Sequence, residues 1–456
     1  MPALNRRQFL AAAASATVAS AAARPLNVVM IYCDDLGYGD LGCYGSRIAT
    51  PNIDRLAAEG IKFTHFYSGN PVCSPSRAAI LTGRYPVRAG VPRVLFPTDT
   101  TGLPDSEVTI AQMLKARNYA TMCVGKWHLG HLPQYLPMNR GFDEYFGIPY
   151  SNDMTPRPLL HNAETLEEPA KLETLTPRYT EQALRFIERS KGGPFFLYMA
   201  HTYPHIPLGA SERFRGKSPL GLYGDVLMEL DWSTGEIMNS LRRNGLDNNT
   251  LVMFSSDNGP WYLGSPGHLR GRKGTTYEGG QRVPFLARLP GRIPKGRTCA
   301  GIGSIMDVLP TLSGLCEAPL PKNPSDGIDI WPLLSGQKPE LDREPLLYFD
   351  DIHLQCARWK QWKLHVARYN SAAYSPAPAG GRVSLPLPAP ELYDLVNDPD
   401  ESYDIAPEHP EIVAETRNRI EKMMAGFPDQ IRKAYEQSKS RKVAPTAVGN
   451  FPRAAG

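Results

Sequence analysis

Leu26-Asn-Val-Val-Met-Ile-Tyr-Cys33, followed at once by Asp34-Asp35, is the stretch on which the fold turns. A near-continuous apolar run suits a strand buried on both faces, as in a largely parallel sheet. The two acids after it belong at the carboxyl edge, where open α/β sheets bind ligands. The same arrangement recurs outward along the chain. Residues 119–124 read as a strand that empties into Gly125-Lys126-Trp127-His128, and residues 194–200 as one that runs into His201 and His205. Residues 250–256 read as a strand ending at Asp257-Asn258. Helical spacing fills 177–190 and 223–245, and Thr50-Pro51-Asn52 opens a helix that ends at Gly60. Residues 61–67 read as a further strand. Alternating strands and helices predict an α/β domain built on a largely parallel sheet.

After about residue 335 the pattern changes. Short aromatic-rich strands at 346–349, 356–359 and 362–366, a Pro/Ala/Gly-rich loop at 371–390, a last strand at 391–395 and a helix at 411–424 predict a small antiparallel sheet plus helix. The expected organisation is a catalytic domain at 24–335, a C-terminal domain at 336–436 and a loose tail at 437–456. Residues 1–23 read as a twin-arginine signal peptide: Arg6-Arg7, then an Ala-rich stretch cut after Ala23. Its apolar part is about 15 residues, short of the roughly 20 that span a bilayer, so no stable membrane span is expected. The twin-arginine translocase is the implied partner, and the destination is periplasmic or secreted.

The chain has 456 residues, 42% hydrophobic and 21% charged, which is ordinary for a globular protein. Of its +4 net charge, two units belong to Arg6 and Arg7, so nothing calls for a nucleic acid partner. Seven cysteines show neither Cys-x-x-Cys pairs nor zinc spacing. A chain that folds in the reducing cytoplasm before export is expected to hold few disulfides.

The chemistry starts at Cys73-Ser-Pro-Ser-Arg77, continued by Ala-Ala-Ile-Leu-Thr-Gly83-Arg84. Pro75 suits a first helical turn and Gly83 a helix end, which puts Cys73 at a helix N-terminus, a favourable place for an anion. Asp34, Asp35, Asp257 and Asn258 offer oxygen donors at two strand ends and suit a hard cation. Calcium is favoured over magnesium because it tolerates irregular oxygen shells. Pro204 and Pro207 argue against a helix that would pair His201 with His205 on one metal. Gly271-Arg-Lys273-Gly-Thr-Thr-Tyr-Glu-Gly-Gly280 lacks the phosphate-loop pattern, and its glycines are expected to let the backbone pass close to a ligand and present Lys273.

Asp34 to Gly45, Cys73 to Arg84, Gly125 to His128, Gly147-Ile-Pro-Tyr-Ser-Asn-Asp153, Asp257 to Pro260 and Lys273 to Gly280 occur in one order that resembles the type I sulfatases, most closely the branch of arylsulfatase A and N-acetylgalactosamine-6-sulfatase. The resemblance implies an alkaline-phosphatase-like fold, a mixed, largely parallel sheet sandwiched by helices, and hydrolysis of an aryl or carbohydrate sulfate monoester. It implies that a formylglycine-generating enzyme converts Cys73 to formylglycine, whose hydrate is the nucleophile. It also implies one calcium ion held by Asp34, Asp35, Cys73, Asp257 and Asn258. Arg77 would stabilise the formylglycine, Lys126, Ser151 and Lys273 would bind sulfate, and His128 would take a proton from the hydrate. His205, or Lys273, would serve the leaving group, with His201 as runner-up to His205. One departure stands at Asn118-Tyr119, where the family usually has Gly-Tyr. Two other readings remain: a phosphonate monoester or phosphodiester hydrolase of the same superfamily, and a non-catalytic sulfated-glycan-binding protein.

Overall fold

The computed structural model describes residues 25–369 and 384–440. The expected signal peptide, residues 371–383 of the Pro-rich loop and residues 441–456 of the tail lie outside the described residues. The strands, in chain order, are β1 (Asn27–Cys33), β2 (Ile61–Phe63), β3 (Phe66–Tyr67), β4 (Ala120–Gly125), β5 (Glu144–Gly147), β6 (Leu159–His161), β7 (Glu164–Glu167), β8 (Phe195–Ala200), β9 (Thr250–Ser256), β10 (Phe285–Arg288), β11 (Arg297–Cys299), β12 (Gly303–Ser304), β13 (Leu346–Asp350), β14 (His353–Trp359), β15 (Trp362–Tyr369) and β16 (Ser384–Asp394). Ten of them form one sheet in the order β11-β2-β10-β9-β1-β8-β4-β5-β6-β7. Its centre, β9-β1-β8-β4-β5, is parallel. Antiparallel pairings of β10 with β9 and β2, and of β5, β6 and β7, make the sheet mixed.

The apolar run of β1 explains this position. All seven of its residues are buried. Val28, Met30 and Tyr32 enter one apolar cluster, and Val29, Ile31 and Cys33 enter the cluster on the other face. The second cluster is closed by helices Pro51–Ala58, Leu175–Ser190 and Gly221–Arg243, through side chains such as Leu56, Phe186 and Leu227. The first is closed by helices Cys73–Thr82 and Val308–Leu315. Truncating one such buried leucine or isoleucine to alanine costs about 2–5 kcal/mol.

The C-terminal sheet is a meander, β13-β14-β15-β16, antiparallel throughout. Its core residues Leu346, Leu364 and Leu392, with Ile420 of helix Pro410–Met424, belong to the same apolar cluster as β1 and the Cys73 helix.

Three local expectations change. The 61–67 strand is two: β2 joins the main sheet, while β3 pairs with β12. Residues 384–390 are strand instead of loop, because β16 is an edge, where the missing N–H groups of Pro386, Pro388 and Pro390 are tolerated. Helix Asp429–Ser440 runs past the expected start of the tail, and Ile431 and Tyr435 join the apolar cluster. At the family departure, Asn118 has φ 60°, a left-handed conformation that asparagine tolerates almost as glycine does.

Candidate functional site

Strand register assembles the site. β1 and β9 end together, with Cys33 opposite Ser256, so Asp34-Asp35 and Asp257-Asn258 emerge side by side. The Asp257 amide donates to the Cys33 carbonyl (3.1 Å) and the Asp35 amide to Asp257 Oδ1 (3.1 Å). Lys126 follows β4, which is separated from β1 only by β8. Gly125 is the turn residue there, at φ 105°; a Cβ would stand 1.8 Å from the Ala200 carbonyl oxygen, so no other residue fits. Cys73 is the first residue of its helix, and Gly83, at φ 68°, ends it.

Three acids and three cations interlock in this space. Arg77 grips Asp257 Oδ2 through Nε (3.1 Å) and Nη2 (2.8 Å) and donates Nη1 to the Lys126 carbonyl (2.9 Å). Lys126 Nζ donates to Asp34 Oδ2 (2.5 Å) and Ser151 Oγ (3.0 Å). Lys273 Nζ donates to Asp35 Oδ2 (2.8 Å), and Asn258 Nδ2 to Asp35 Oδ1 (2.7 Å). Cys73 lies between them. Its Sγ and one carboxylate oxygen each of Asp34 and Asp257 are within 4.8 Å of one another, and so are Sγ, Asp35 and His205. Burial opposes the charge of Asp34, but Lys126, His205, Arg77 and Lys273 outweigh it and hold the carboxyl well below its usual range. Burial and the Asp34 charge push Asp257 up to about 7. Burial would discharge Lys273, yet the Asp35 carboxylate keeps its ammonium well above the usual range. Burial drives the Cys73 thiol to about 12, so the encoded thiol is a poor nucleophile at neutral pH.

The donor set fits a divalent cation. Asp34 Oδ1 and Asn258 Oδ1 are buried acceptors without a hydrogen-bond donor, and a buried acceptor left so costs about 1–3 kcal/mol. Four hard oxygen-bearing side chains favour calcium or magnesium. The soft Cys73 sulfur is the mismatch, and conversion to an aldehyde would replace it with oxygen.

The histidines separate. His205 Nε2 is 3.7 Å from Asp35 Oδ2, and its Nδ1 donates to the Ile206 carbonyl (2.5 Å). Burial and the Lys273 charge lower its pKa. His201 belongs to neither ligand group, neither ring nitrogen has a hydrogen-bond partner, and burial alone lowers it to about 3. His128 Nε2 contacts the Leu95 carbonyl (2.8 Å). A carbonyl only accepts, so Nε2 carries the proton and Nδ1, buried and unpartnered, keeps the lone pair. Burial and the Lys126 charge hold the ring neutral.

One expectation needs amending, and two residues join the site. Two glycines of the Lys273 segment, Gly279 and Gly280, are required by the loop's own backbone. A Cβ on Gly279 would meet the Gly271 oxygen at 2.3 Å and one on Gly280 the Thr275 oxygen at 2.1 Å, so the clearance serves the segment's own folding. Asn152 and Ser76 were assigned no part from the sequence. Asn152 Nδ2 holds the His205 and Pro207 carbonyls (3.2 and 3.0 Å), and Ser76 Oγ donates to the Asp257 carbonyl. Asn152 stands inside a segment the family order had picked out; Ser76 carries no sequence signal of its own.

A family model described as Sulfatase matches residues 26–318, and one described as the C-terminal region of aryl-sulfatase matches residues 341–453. Arylsulfatase A of Homo sapiens is 42% identical, over 84% of this chain and 84% of its own. N-acetylgalactosamine-6-sulfatase of Canis lupus familiaris is 41% identical, over 79% of this chain and 75% of its own. Among solved structures, the Bacteroides thetaiotaomicron protein BT33336S-sulf, described under the metabolism of multiple glycosaminoglycans, superposes with a TM-score of 0.78 at 31% identity, over 88% of this chain and 99% of that one.

Proposed function

The chain belongs to the sulfatase family and hydrolyses sulfate esters, and on that footing we propose how its residues divide the work. The substrate is an aryl or carbohydrate sulfate monoester, and the balance is R–OSO3− + H2O → R–OH + SO4 2− + H+. Asp34, Asp35, Asp257 and Asn258 hold one calcium ion, with residue 73 completing the set. When present, the ion withdraws charge from the sulfate, and formylglycine made from Cys73 supplies, as its hydrate, an oxygen nucleophile that can revert to the aldehyde.

The other roles belong to side chains the chain already holds. Lys126 and Lys273 offer fixed ammonium groups to sulfate oxygens, and Ser151 orients Lys126. With all groups ionised, three carboxylates balance Arg77, Lys126 and Lys273, so a dication leaves the pocket net positive for an anionic ester. Arg77 stabilises residue 73 and fixes Asp257. His128 accepts a proton at Nδ1, because its Nε2 proton is committed to Leu95. His205 faces the leaving oxygen with Nε2, which can donate only in the imidazolium form because the Nδ1 proton is committed to Ile206; Lys273, already held as an ammonium, is the second candidate donor. Export follows the twin-arginine route to the periplasm or exterior, on the strength of Arg6-Arg7 and the Ala-rich run to Ala23. A formylglycine-generating enzyme acts before export. Chemistry is thereby assigned to residues 24–335 and support to residues 336–436.

The observation that carries this reading is the convergence of Cys73 with Asp34, Asp35 and Asp257 in one buried cluster. The test is hydrolysis of p-nitrophenyl sulfate by purified wild type and Cys73→Ala, with mass spectrometry of the Cys73 peptide. Wild type is expected to carry an aldehyde in place of the thiol, and the variant to be inactive. A folded Cys73→Ala protein with full activity would refute the reading. Faster turnover of a phosphonate monoester or phosphodiester than of aryl sulfate would move the assignment to that branch.

A further inference from the structure

The segment that presents Lys273 is a closed loop. It leaves at Arg270 and returns at Gly279, whose amide donates to the Arg270 carbonyl (2.7 Å). Its tip is pinned by Lys273 N to the Pro260 carbonyl (3.0 Å) and Gly274 N to the Pro71 carbonyl (2.8 Å). The C-terminal part of the chain holds it at Thr276, through Gln355 and Cys356, and at its base, where Glu401 contacts both ends. Glu401 Oε2 accepts the Glu278 amide (2.6 Å), and the Glu401 carbonyl accepts Arg270 Nη1 (2.5 Å). Both ends of the loop thus rest on Glu401.

Glu401 is itself fixed. Its Oε1 meets His365 Nε2 (2.7 Å) and Lys363 Nζ (3.3 Å), both on β15. Lys363 also donates to Glu278 Oε1 (3.0 Å), and the other Glu278 oxygen takes Arg282 Nε (2.7 Å). The side chains of Glu401, Glu278 and Lys363 are fully buried. Desolvating such charges is expensive, and a nonpolar packing of equal volume would hold two parts of a fold together as well. The Glu401 backbone also sits at φ 52°, a strained conformation for a non-glycine residue that the turn retains. What apolar packing does not supply is direction: two hydrogen bonds that set the base of one particular loop.

We propose that Glu401 is a positioning residue for Lys273, acting through the Arg270–Gly279 loop without touching substrate. This rests on the sulfate-binding role proposed for Lys273. A displacement of an ångström at a reacting group costs up to about a hundredfold, so loss of the staple has a catalytic signature. A residue that only docks the C-terminal sheet would lower stability and leave the Lys273 contribution alone.

The experiment is a double-mutant cycle on p-nitrophenyl sulfate with the full-length, converted protein: wild type, Glu401→Gln, Lys273→Met and the double variant, with melting temperatures alongside. Glu401→Gln is expected to lower kcat/KM about tenfold or more in the wild-type background and less than about twofold on Lys273→Met. The melting-temperature shift is expected to be equal in both backgrounds. Arg270→Met, at an exposed side chain, removes the other grip and folds whatever Glu401→Gln does. It is expected to give a smaller loss with the same dependence on Lys273. The inference is overturned if Arg270→Met and any folded Glu401→Gln keep kcat/KM within twofold of wild type, or if their losses are undiminished on Lys273→Met. Full activity of Lys273→Met alone is a separate result. It removes the proposed role of Lys273, and the positioning role goes with it.

Discussion

Lys126→Met withdraws one charge from the centre of the site while keeping most of the side-chain volume. The ammonium is wholly buried, 2.5 Å from Asp34 Oδ2 and 3.0 Å from Ser151 Oγ. Two effects of different size follow. For the reaction, a preorganised donor at the developing charge is lost, and one such donor is worth about a hundred- to a thousandfold in kcat, or about 2.7–4 kcal/mol. For the fold, breaking a buried ion pair costs about 3–5 kcal/mol when the remaining charge is stranded. Asp34 is not fully stranded, because Arg77 Nη2 lies 3.6 Å from its other oxygen. A bound dication would share the rest of the charge. The variant is therefore expected to fold when metal is present and to depend on it more than wild type does. The assay pairs kcat on p-nitrophenyl sulfate with melting temperature before and after EGTA. The expected outcome is a kcat loss in that range, a smaller change in KM and a larger EGTA-induced drop in melting temperature than in wild type. A folded, metal-loaded Lys126→Met protein with kcat within about threefold of wild type refutes the reasoning.

Other consequences are open to measurement. Chelation with EGTA should abolish sulfatase activity, and calcium should restore it at lower concentration than magnesium; equal restoration by both counts against a calcium site. Asn118→Gly should be close to neutral in thermal unfolding, whereas Asn118→Val should cost roughly 1–2 kcal/mol at its left-handed φ of 60°. Burial lowers the folded pKa of His201 to about 3 from the usual 6.5 of a free imidazole, so its contribution to stability is present above pH 6.5 and is lost as pH falls through that window. The slope is at most about 1.4 kcal/mol per pH unit. His201→Leu should flatten that acid branch in unfolding curves; an unchanged branch shows that other groups govern it.

What the sequence disclosed depended on the range of the interaction. The β1 run and its terminal acids are a local signal, and the parallel sheet and the Asp34-Asp35 edge follow from it. Asp257-Asn258 and Lys126 were legible for the same reason, as polar residues just after apolar strands. The glycines at 279 and 280 were misread because what they accommodate, the Gly271 and Thr275 carbonyls, is decided by how the loop closes on itself. The strand at 384–390 was hidden by its prolines, whose tolerance depends on β16 being an edge. Glu401 gave no signal at all. Its meaning lies in two partners far upstream, Arg270 and Glu278, and only the packed molecule brings them together.

Cys73 is 3% exposed, and the core above its helix is completed by side chains as late as Ile431 and Tyr435. A ribosome releases the segment around position 73 long before it makes those last residues. Any catalyst that oxidises this sulfur must therefore reach it before the chain has packed around it. Slowing that packing should raise the modified fraction; speeding it should leave more molecules permanently as thiols.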